Sequence, residues 1–265
     1  MSDDSTKTGI TKVVILCGGL GTRLSEETSR QPKPMVTIGG VPIIQHLVRY
    51  YARFGIRHFI LLTGYLGSQI SLWARDAALY ESRVSIEGGS IISDSVVDYT
   101  TLKFDIINSG VEAETGARLT DVKHLLREGE DFFLTYGDGL SDVDLNELEL
   151  FHAKHGRLVT MSIAPSQSRF GHVNIDSGAR VLDFEEKPIQ QDHYMNIGFF
   201  VCKREALDYI SGNVAWEHTP LKNLALDEEL MARRHDGFWH AMDTLKDRDS
   251  LETMWSYVDC PWRIS

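Results

Sequence analysis

The stretch "TKVVILCGGLGTR" (11–23) decides the fold. Its first seven residues are β-branched and almost wholly apolar, which predicts a parallel strand covered on both faces. The strand then gives way to Gly18, Gly19 and Gly21, followed by Thr22 and Arg23. Glycines without Cβ atoms let backbone N–H groups approach an anion closely, and Thr22 and Arg23 add side-chain donors. Two familiar glycine signatures fail here. Gly19 and Gly21 form G-x-G, but Leu24 stands where a dinucleotide fingerprint needs Gly or Ala, and no G-K-[ST] follows.

The connection after this strand is long, with no helix signal until Pro42. Arg30 and Lys33 add cations to it, and "QPKPM" (31–35) places Lys33 between two prolines that stiffen the backbone around it. Connections after strands are usually short, so a long one rich in glycine and cations reads as a binding loop.

Outward from the loop, "VPIIQHLVRYYARFG" (41–55) carries a helical apolar stripe, "IRHFILLTG" (56–64) returns to strand, and 67–79 is helical. This βαβα order predicts an α/β fold, a mostly parallel sheet with helices on both faces. Within 82–107, "SRVSIEG" and "LKFDIIN" read as strands flanking "GGSIISDSVVDYTT", which fits a hairpin, a swapped arm or a flexible flap. A capped helix is expected over 115–129, ended by Gly129, then a strand running into a turn, "DFFLTYGDG" (131–139), and a helix over 144–156. The second half holds more strands and fewer helices, so mixed strand directions are expected there. No repeat or linker divides the chain, and we read 1–265 as a single domain whose second half binds the acceptor.

A net charge of -11 argues against nucleic acid or an anionic membrane as partner, since both are bound through excess Lys and Arg. A small polyanion remains possible where cations and N–H groups are concentrated locally. Residues 1–10 lack the apolar core of a secretory leader and read as a disordered lead-in, and no stretch has transmembrane length. Cytoplasmic location is therefore expected. Cys17, Cys202 and Cys260 show no metal or disulfide spacing and read as buried thiols.

Among chemistry-bearing residues, Asp138 lies between Gly137 and Gly139 after an apolar strand, at the sheet edge where α/β proteins bind ligands. One carboxylate there with a distant second one is a common way to hold Mg²⁺ on a nucleoside triphosphate. "GFWHAMDTLKD" (237–247) offers that second carboxylate in Asp243. "FEEKP" (184–188) supplies Glu186 and Lys187, a phosphate partner, and "YMNIGFF" (194–200) supplies Asn196, a partner for a polyol. His152 and His155, without companion carboxylates or cysteines, read as a solvated helix face.

Taken together, "VVILCGGLGTRLSEETSRQPKPMVTIGGVPII" (13–44) resembles the sugar-1-phosphate nucleotidylyltransferases, whose general form is a strand, G-G-x-G-T-R-L, a spacer and P-K-P-M. "LSEET" (24–28), "TYGDGLSDVDL" (135–145), "RFG" (169–171), "FEEKP", "GFW" with "MDT", and "PWR" (261–263) are similar to the branch of that family that uses CTP and glucose 1-phosphate. The resemblance runs from residue 12 to the C-terminus. It implies a Rossmann-like nucleotidyltransferase fold, and transfer of CMP from CTP to glucose 1-phosphate, giving CDP-glucose and pyrophosphate.

Carried over by position, Gly18, Gly19, Gly21, Thr22 and Arg23 would cradle the triphosphate, with Arg118 near the nucleotide. Lys33 would bridge phosphates at the reacting centre, and Asp138 and Asp243 would hold Mg²⁺. Arg23, Lys33, Asp138 and Asp243 form the implied catalytic set, while Glu186, Lys187 and Asn196 would face the sugar phosphate. The resemblance also implies a homo-oligomer. Ile197 replaces a family glycine, Thr219 replaces an acidic residue, and 82–107 match poorly. These departures keep two alternatives open, namely another phosphorylated acceptor, sugar or not, and a non-catalytic subunit that senses nucleotide sugars.

Overall fold

The computed structural model describes residues 9–19, 21–81, 84–87, 90–93, 101–167, 172–186 and 189–263. The lead-in at 1–8 and the "RFG" and Lys187 positions lie outside them. Seven strands form the central sheet: β1 (Lys12–Leu16), β2 (His58–Thr63), β3 (Lys103–Asn108), β4 (Asp131–Tyr136), β5 (Val159–Gln167), β6 (Ile189–Lys203) and β7 (Leu230–Arg234). Their order is β7-β5-β6-β4-β1-β2-β3. β1 runs parallel to β2 and β4, β2 to β3, and β5 to β7, while β6 runs against β4 and β5. The sheet is thus mostly parallel, with the mixed direction in the second half.

Successive side chains of a strand face opposite ways, so the apolar run in β1 feeds two cores at once. Val13 and Ile15 join α1 (Ile43–Arg53), α2 (Gly67–Glu81), α4 (Leu145–His155) and α6 (Leu245–Trp255) on one face. Val14 and Leu16 join α3 (Thr115–Thr120) and α5 (Thr219–Leu226), with Trp216, on the other. The chain winds outward from β1 through β2 to β3 and then returns to the opposite side of β1 at β4. This reversal opens a crevice between the carboxyl ends of β1 and β4, where ligands of open α/β sheets bind.

Several local expectations need correction. The loop after β1 is not devoid of helix: it contains a 3₁₀ turn over Thr22–Leu24, one helical turn over Ser25–Thr28, and a second 3₁₀ turn over Lys33–Met35. Each is too short to leave a periodic signal. The helix expected over 115–129 stops at Thr120, whose hydroxyl bonds back to Ala117 O at 2.7 Å; a 3₁₀ turn over Lys123–Leu125 follows. His152 is not on a solvated face but is 1% exposed, with Nδ1 2.8 Å from Thr160 Oγ1. Two expectations hold within 82–107: the "SRVSIEG" strand is found at Val84–Glu87, paired antiparallel with Ser90–Ser93, and the "LKFDIIN" strand is β3 at the sheet edge.

Candidate active site

A cavity of about 420 Å³ occupies the crevice at the ends of β1 and β4. Gly18, Gly19, Gly21 and Thr22 form one wall, and Lys33 and Asp138 are also in its lining. Pro32 and Pro34 bracket Lys33 at the start of a 3₁₀ turn, and burial of Pro34 anchors the lysine backbone. Gly137 N donates to Leu16 O at 2.9 Å, closing β4 onto β1. A Cβ at Gly137 would stand 2.9 Å from both Leu16 O and Pro34 Cγ, so only glycine lets the chain pass and deliver Asp138 to the cavity.

Asp243 arrives from 105 residues farther along. Trp239–Ala241 pairs antiparallel with Gly139–Ser141, Ala241 opposite Gly139, and Met242 N donates to Asp138 O at 2.9 Å. That short ladder holds the two aspartates side by side. Lys33 Nζ then reaches both, at 2.5 Å from Asp138 Oδ2 and 2.6 Å from Asp243 Oδ1. Burial alone would push the lysine toward its neutral form, but the two carboxylates, Asp138 foremost, outweigh it and raise its pKa above the ordinary value. Lys33 is therefore a fixed cation.

Arg118, from α3, is 3% exposed and donates to Thr63 O at 2.8 Å and Gly18 O at 2.9 Å. Its guanidinium ties the glycine loop to the end of β2 and borders the cavity. Desolvation by burial lowers its pKa. Arg23 lies in the 3₁₀ turn beside Thr22, with its side chain outside the described part of the structure. Asn196 sits behind the cavity wall, its Nδ2 3.4 Å from the Tyr136 hydroxyl and its Oδ1 accepting from Gly198 N at 2.8 Å. Glu186 is exposed after the ribbon formed by His172–Ile175 and Val181–Glu185. Asn196 and Glu186 thus lie outside the Lys33–Asp138–Asp243 cluster.

The sequence reading missed a polar group at the same cavity. Tyr136 donates its hydroxyl to Glu217 Oε1, and Thr115 Oγ1 donates to Glu217 Oε2 at 2.7 Å. Thr115 Oγ1 in turn accepts from Trp216 N at 2.8 Å. Burial and the neighbouring Glu217 raise the Tyr136 pKa far above the phenol range, so it remains a donor. Tyr136 directly precedes "GDG" and was within reach of the motif; nothing in the sequence connects Glu217 to it. Ile197 does not enter the cavity. Its side chain is 2% exposed in the core beneath α1, and the glycine this wall requires is Gly198, φ +82°, where a Cβ would lie 2.4 Å from the Tyr136 ring.

Cys17 also lines the cavity, but burial and the charge of Asp138 push its pKa far up, which leaves it an inert thiol. Among the described residues, the site brings the Lys33 ammonium and the Asp138 and Asp243 carboxylates together beside a glycine-rich backbone.

This assembly on a Rossmann-like sheet defines the class. Residues 12–229 match the nucleotidyl transferase family, and the chain belongs to it, as an enzyme of that class. Its similarity is strong to glucose-1-phosphate cytidylyltransferases from Salmonella typhi and Salmonella typhimurium, each 40% identical over 95% of this chain and 98% of theirs. The fold also matches a UDP-glucose pyrophosphorylase solved with UDP-glucose, with a TM-score of 0.68, 18% identity, and coverage of 93% of this chain and 98% of that one.

Proposed function

We propose that the chain transfers CMP from CTP to glucose 1-phosphate. A sugar-phosphate oxygen attacks the α-phosphorus, the bond from the α-phosphorus to the bridging oxygen breaks, and pyrophosphate leaves with CDP-glucose as the other product. The observation that carries this reading is the meeting of Lys33, Asp138 and Asp243 at a glycine-walled cavity. The choice of CTP and glucose 1-phosphate follows the named activity of the Salmonella relatives.

The physics suits such a site. A phosphomonoester has a second pKa of about 6, so the attacking oxygen is largely ionised near neutrality and needs no general base. The obstacle is charge: two unit charges 4 Å apart repel by about 4 kcal/mol at an effective dielectric of 20, and several pairs are involved. Lys33 and the amides of the glycine loop offset that repulsion and hold the reactants in line. Tyr136 and Thr115 line the same space, with Glu217 and Asn196 bonded behind them, and hydroxyls so held suit a polyol.

The residues also fit a divalent cation. The Asp138 and Asp243 carboxylates, drawn to one ammonium, are hard oxygen donors of the kind Mg²⁺ takes one or two of while filling its shell with phosphate oxygens and water. Asp138 and Asp243 would hold it, and it would neutralise charge on the triphosphate. Self-association belongs to the same proposal. The ribbon over 172–185 leaves Val173, Ile175, Val181, Leu182 and Phe184 exposed, apolar surface that a second copy would cover. Three buried free thiols suit a reducing, cytoplasmic setting. Among the described residues no helix is long and apolar enough to cross a membrane.

A pyrophosphate-release screen of four ribonucleoside triphosphates against a panel of phosphorylated acceptors tests the proposal. CTP with glucose 1-phosphate should give the highest kcat/KM. Turnover with every acceptor but glucose 1-phosphate would overturn the acceptor assignment, and silence with every pair would overturn the enzymatic reading.

A further inference from the structure

Asp243 owes its position to the helix that follows it. Thr244 caps α6 and accepts from Asp247 N at 3.2 Å, while Asp247 Oδ2 accepts from Thr244 N at 2.8 Å, a closed capping box. The same oxygen accepts from Thr244 Oγ1 at 2.8 Å and from the Asp243 amide at 3.1 Å. Asp247 Oδ1 lies 3.3 Å from Nε2 of His240, on the short strand that leads into Asp243. One carboxylate therefore holds the backbone amides on both sides of the Asp243 Cα. A capping box by itself needs only the Thr244 amide, so the bond to Asp243 N is an additional constraint.

The next residue reaches the opposite way. Arg248 donates through Nη1 to Glu27, while Asp249 Oδ1 receives its Nε at 3.1 Å and its Nη2 at 2.7 Å and holds the guanidinium plane. Glu27 belongs to the single helical turn Ser25–Thr28, which ends the glycine loop. Thr28 Oγ1 then donates to Gly21 O and Leu24 O, both at 2.9 Å. A four-residue helix cannot hold its own geometry, so its place depends on such tethers.

Neither Asp247 nor Arg248 borders the cavity. Resting on the function proposed above, we propose that both are positioning residues: the first turn of α6 sets the gap between the phosphate-binding loop and Asp243. Adjacent side chains of one rigid turn grip the two halves of the site, Asp247 the second carboxylate and Arg248 the glycine loop. Loss of either grip displaces a reacting group without removing it, and transfer between two positioned phosphates is sensitive to such displacement.

The test measures kcat and KM for CTP and glucose 1-phosphate, Mn²⁺ binding to the protein–CTP complex by EPR, and melting temperature. Arg248→Gln is expected to lower kcat about 10-fold with little change in melting temperature, and the charge-swapped pair Glu27→Arg with Arg248→Glu should recover most of that loss. Asp247→Ala is expected to weaken Mn²⁺ binding about 10-fold, a readout that needs no turnover, while Asp247→Glu, which keeps an acceptor in the capping box, retains more of it. Lys246→Ala, exposed in the same turn, should match the unaltered protein. Variants equal to the unaltered protein in both kcat and Mn²⁺ binding would overturn the inference. So would losses that follow melting temperature alone and are not recovered by the swap. An unaltered protein that releases no pyrophosphate with any pair would instead strike the proposed function, and the Mn²⁺ measurement would still decide the role of Asp247.

Discussion

Strand β4 carries an aspartate near each end, and the two have opposite fates. Asp138, just past the carboxyl end, meets the Lys33 ammonium at the edge of a cavity. Asp131, at the amino end, lies 3.6 Å from Nε2 of His152, which is buried with Thr160. The direction of every hydrogen bond in the second cluster can be worked out. Arg157 N can only donate, so His155 Nδ1 accepts from it at 2.9 Å and the ring proton sits on Nε2. That N–H donates to Thr160 Oγ1 at 2.7 Å, the Thr160 hydroxyl donates to His152 Nδ1 at 2.8 Å, and the remaining His152 proton points toward Asp131. The Thr160 hydroxyl is thereby shared between the two rings. The comparison teaches that an aspartate next to a basic side chain is not itself a site. At the Asp138 end the charged groups meet at an open cavity; at the other, a buried histidine and threonine lie between the aspartate and the second ring.

Removing Asp138 should show the largest difference between the two ends. Asp138→Ala is expected to lower kcat about 10²- to 10³-fold while circular dichroism and melting temperature stay near those of the unaltered protein. Near-normal pyrophosphate release from this variant would erase the contrast. Lys33→Ala comes next, with a kcat loss of about 10²-fold and a smaller rise in KM for CTP, because its ammonium acts on charge that develops during transfer. A raised KM with kcat intact would reassign Lys33 to ground-state binding.

At the sealed end the expected effect moves from rate to stability. Thr160→Val keeps the shape of the side chain and removes the hydroxyl that joins both histidines, leaving a buried His152 nitrogen and a partly buried His155 nitrogen unpaired. Denaturant titration should show a loss of about 1–3 kcal/mol, with kcat/KM unchanged. A variant that lost activity while keeping its stability would tie the amino end of β4 to the chemistry and break the comparison.

How much of this was legible beforehand depends on how local each feature is. The β1 run, the glycines after it and the α1 stripe are written in consecutive residues, so the parallel sheet and its binding edge could be read directly. Asp138 and Asp243 each carried a local sign, a small-residue turn and an apolar approach. Their meeting depends on the pairing of 239–241 with 139–141, which no local pattern encodes. Glu217 shows the limit most clearly: it reaches Tyr136 only because α3 and the segment before α5 lie on the same face. The helix misjudged over 115–129 failed for a related reason. Its apolar pattern holds for α3, but the N-cap Glu114 makes no side-chain cap, the Thr115 hydroxyl serves Glu217 and Trp216 N instead, and the helix ends after Thr120.

The smallest expected effect is a pH dependence confined to the sealed end. Burial lowers the His155 pKa below 6.5, helped by His152, Lys203 and Arg157 and opposed by Glu229. The cause is also visible in the geometry, since a protonated ring would turn Nδ1 into a donor facing the Arg157 N–H. A histidine whose folded pKa is depressed stabilises the fold above its unfolded value, and that contribution is lost as pH falls through the folded value. The urea midpoint of the unaltered protein should therefore decline below about pH 6.5, the ordinary histidine value. His155→Gln retains an acceptor for Arg157 N and has no proton to gain in this range, so its midpoint should decline less over the same interval. Asp131, Glu149, His152 and Glu229 are present in both proteins, so the difference between the two curves reports the change at position 155 and its coupling to them. Parallel curves would show that burial does not hold the His155 pKa below its ordinary value.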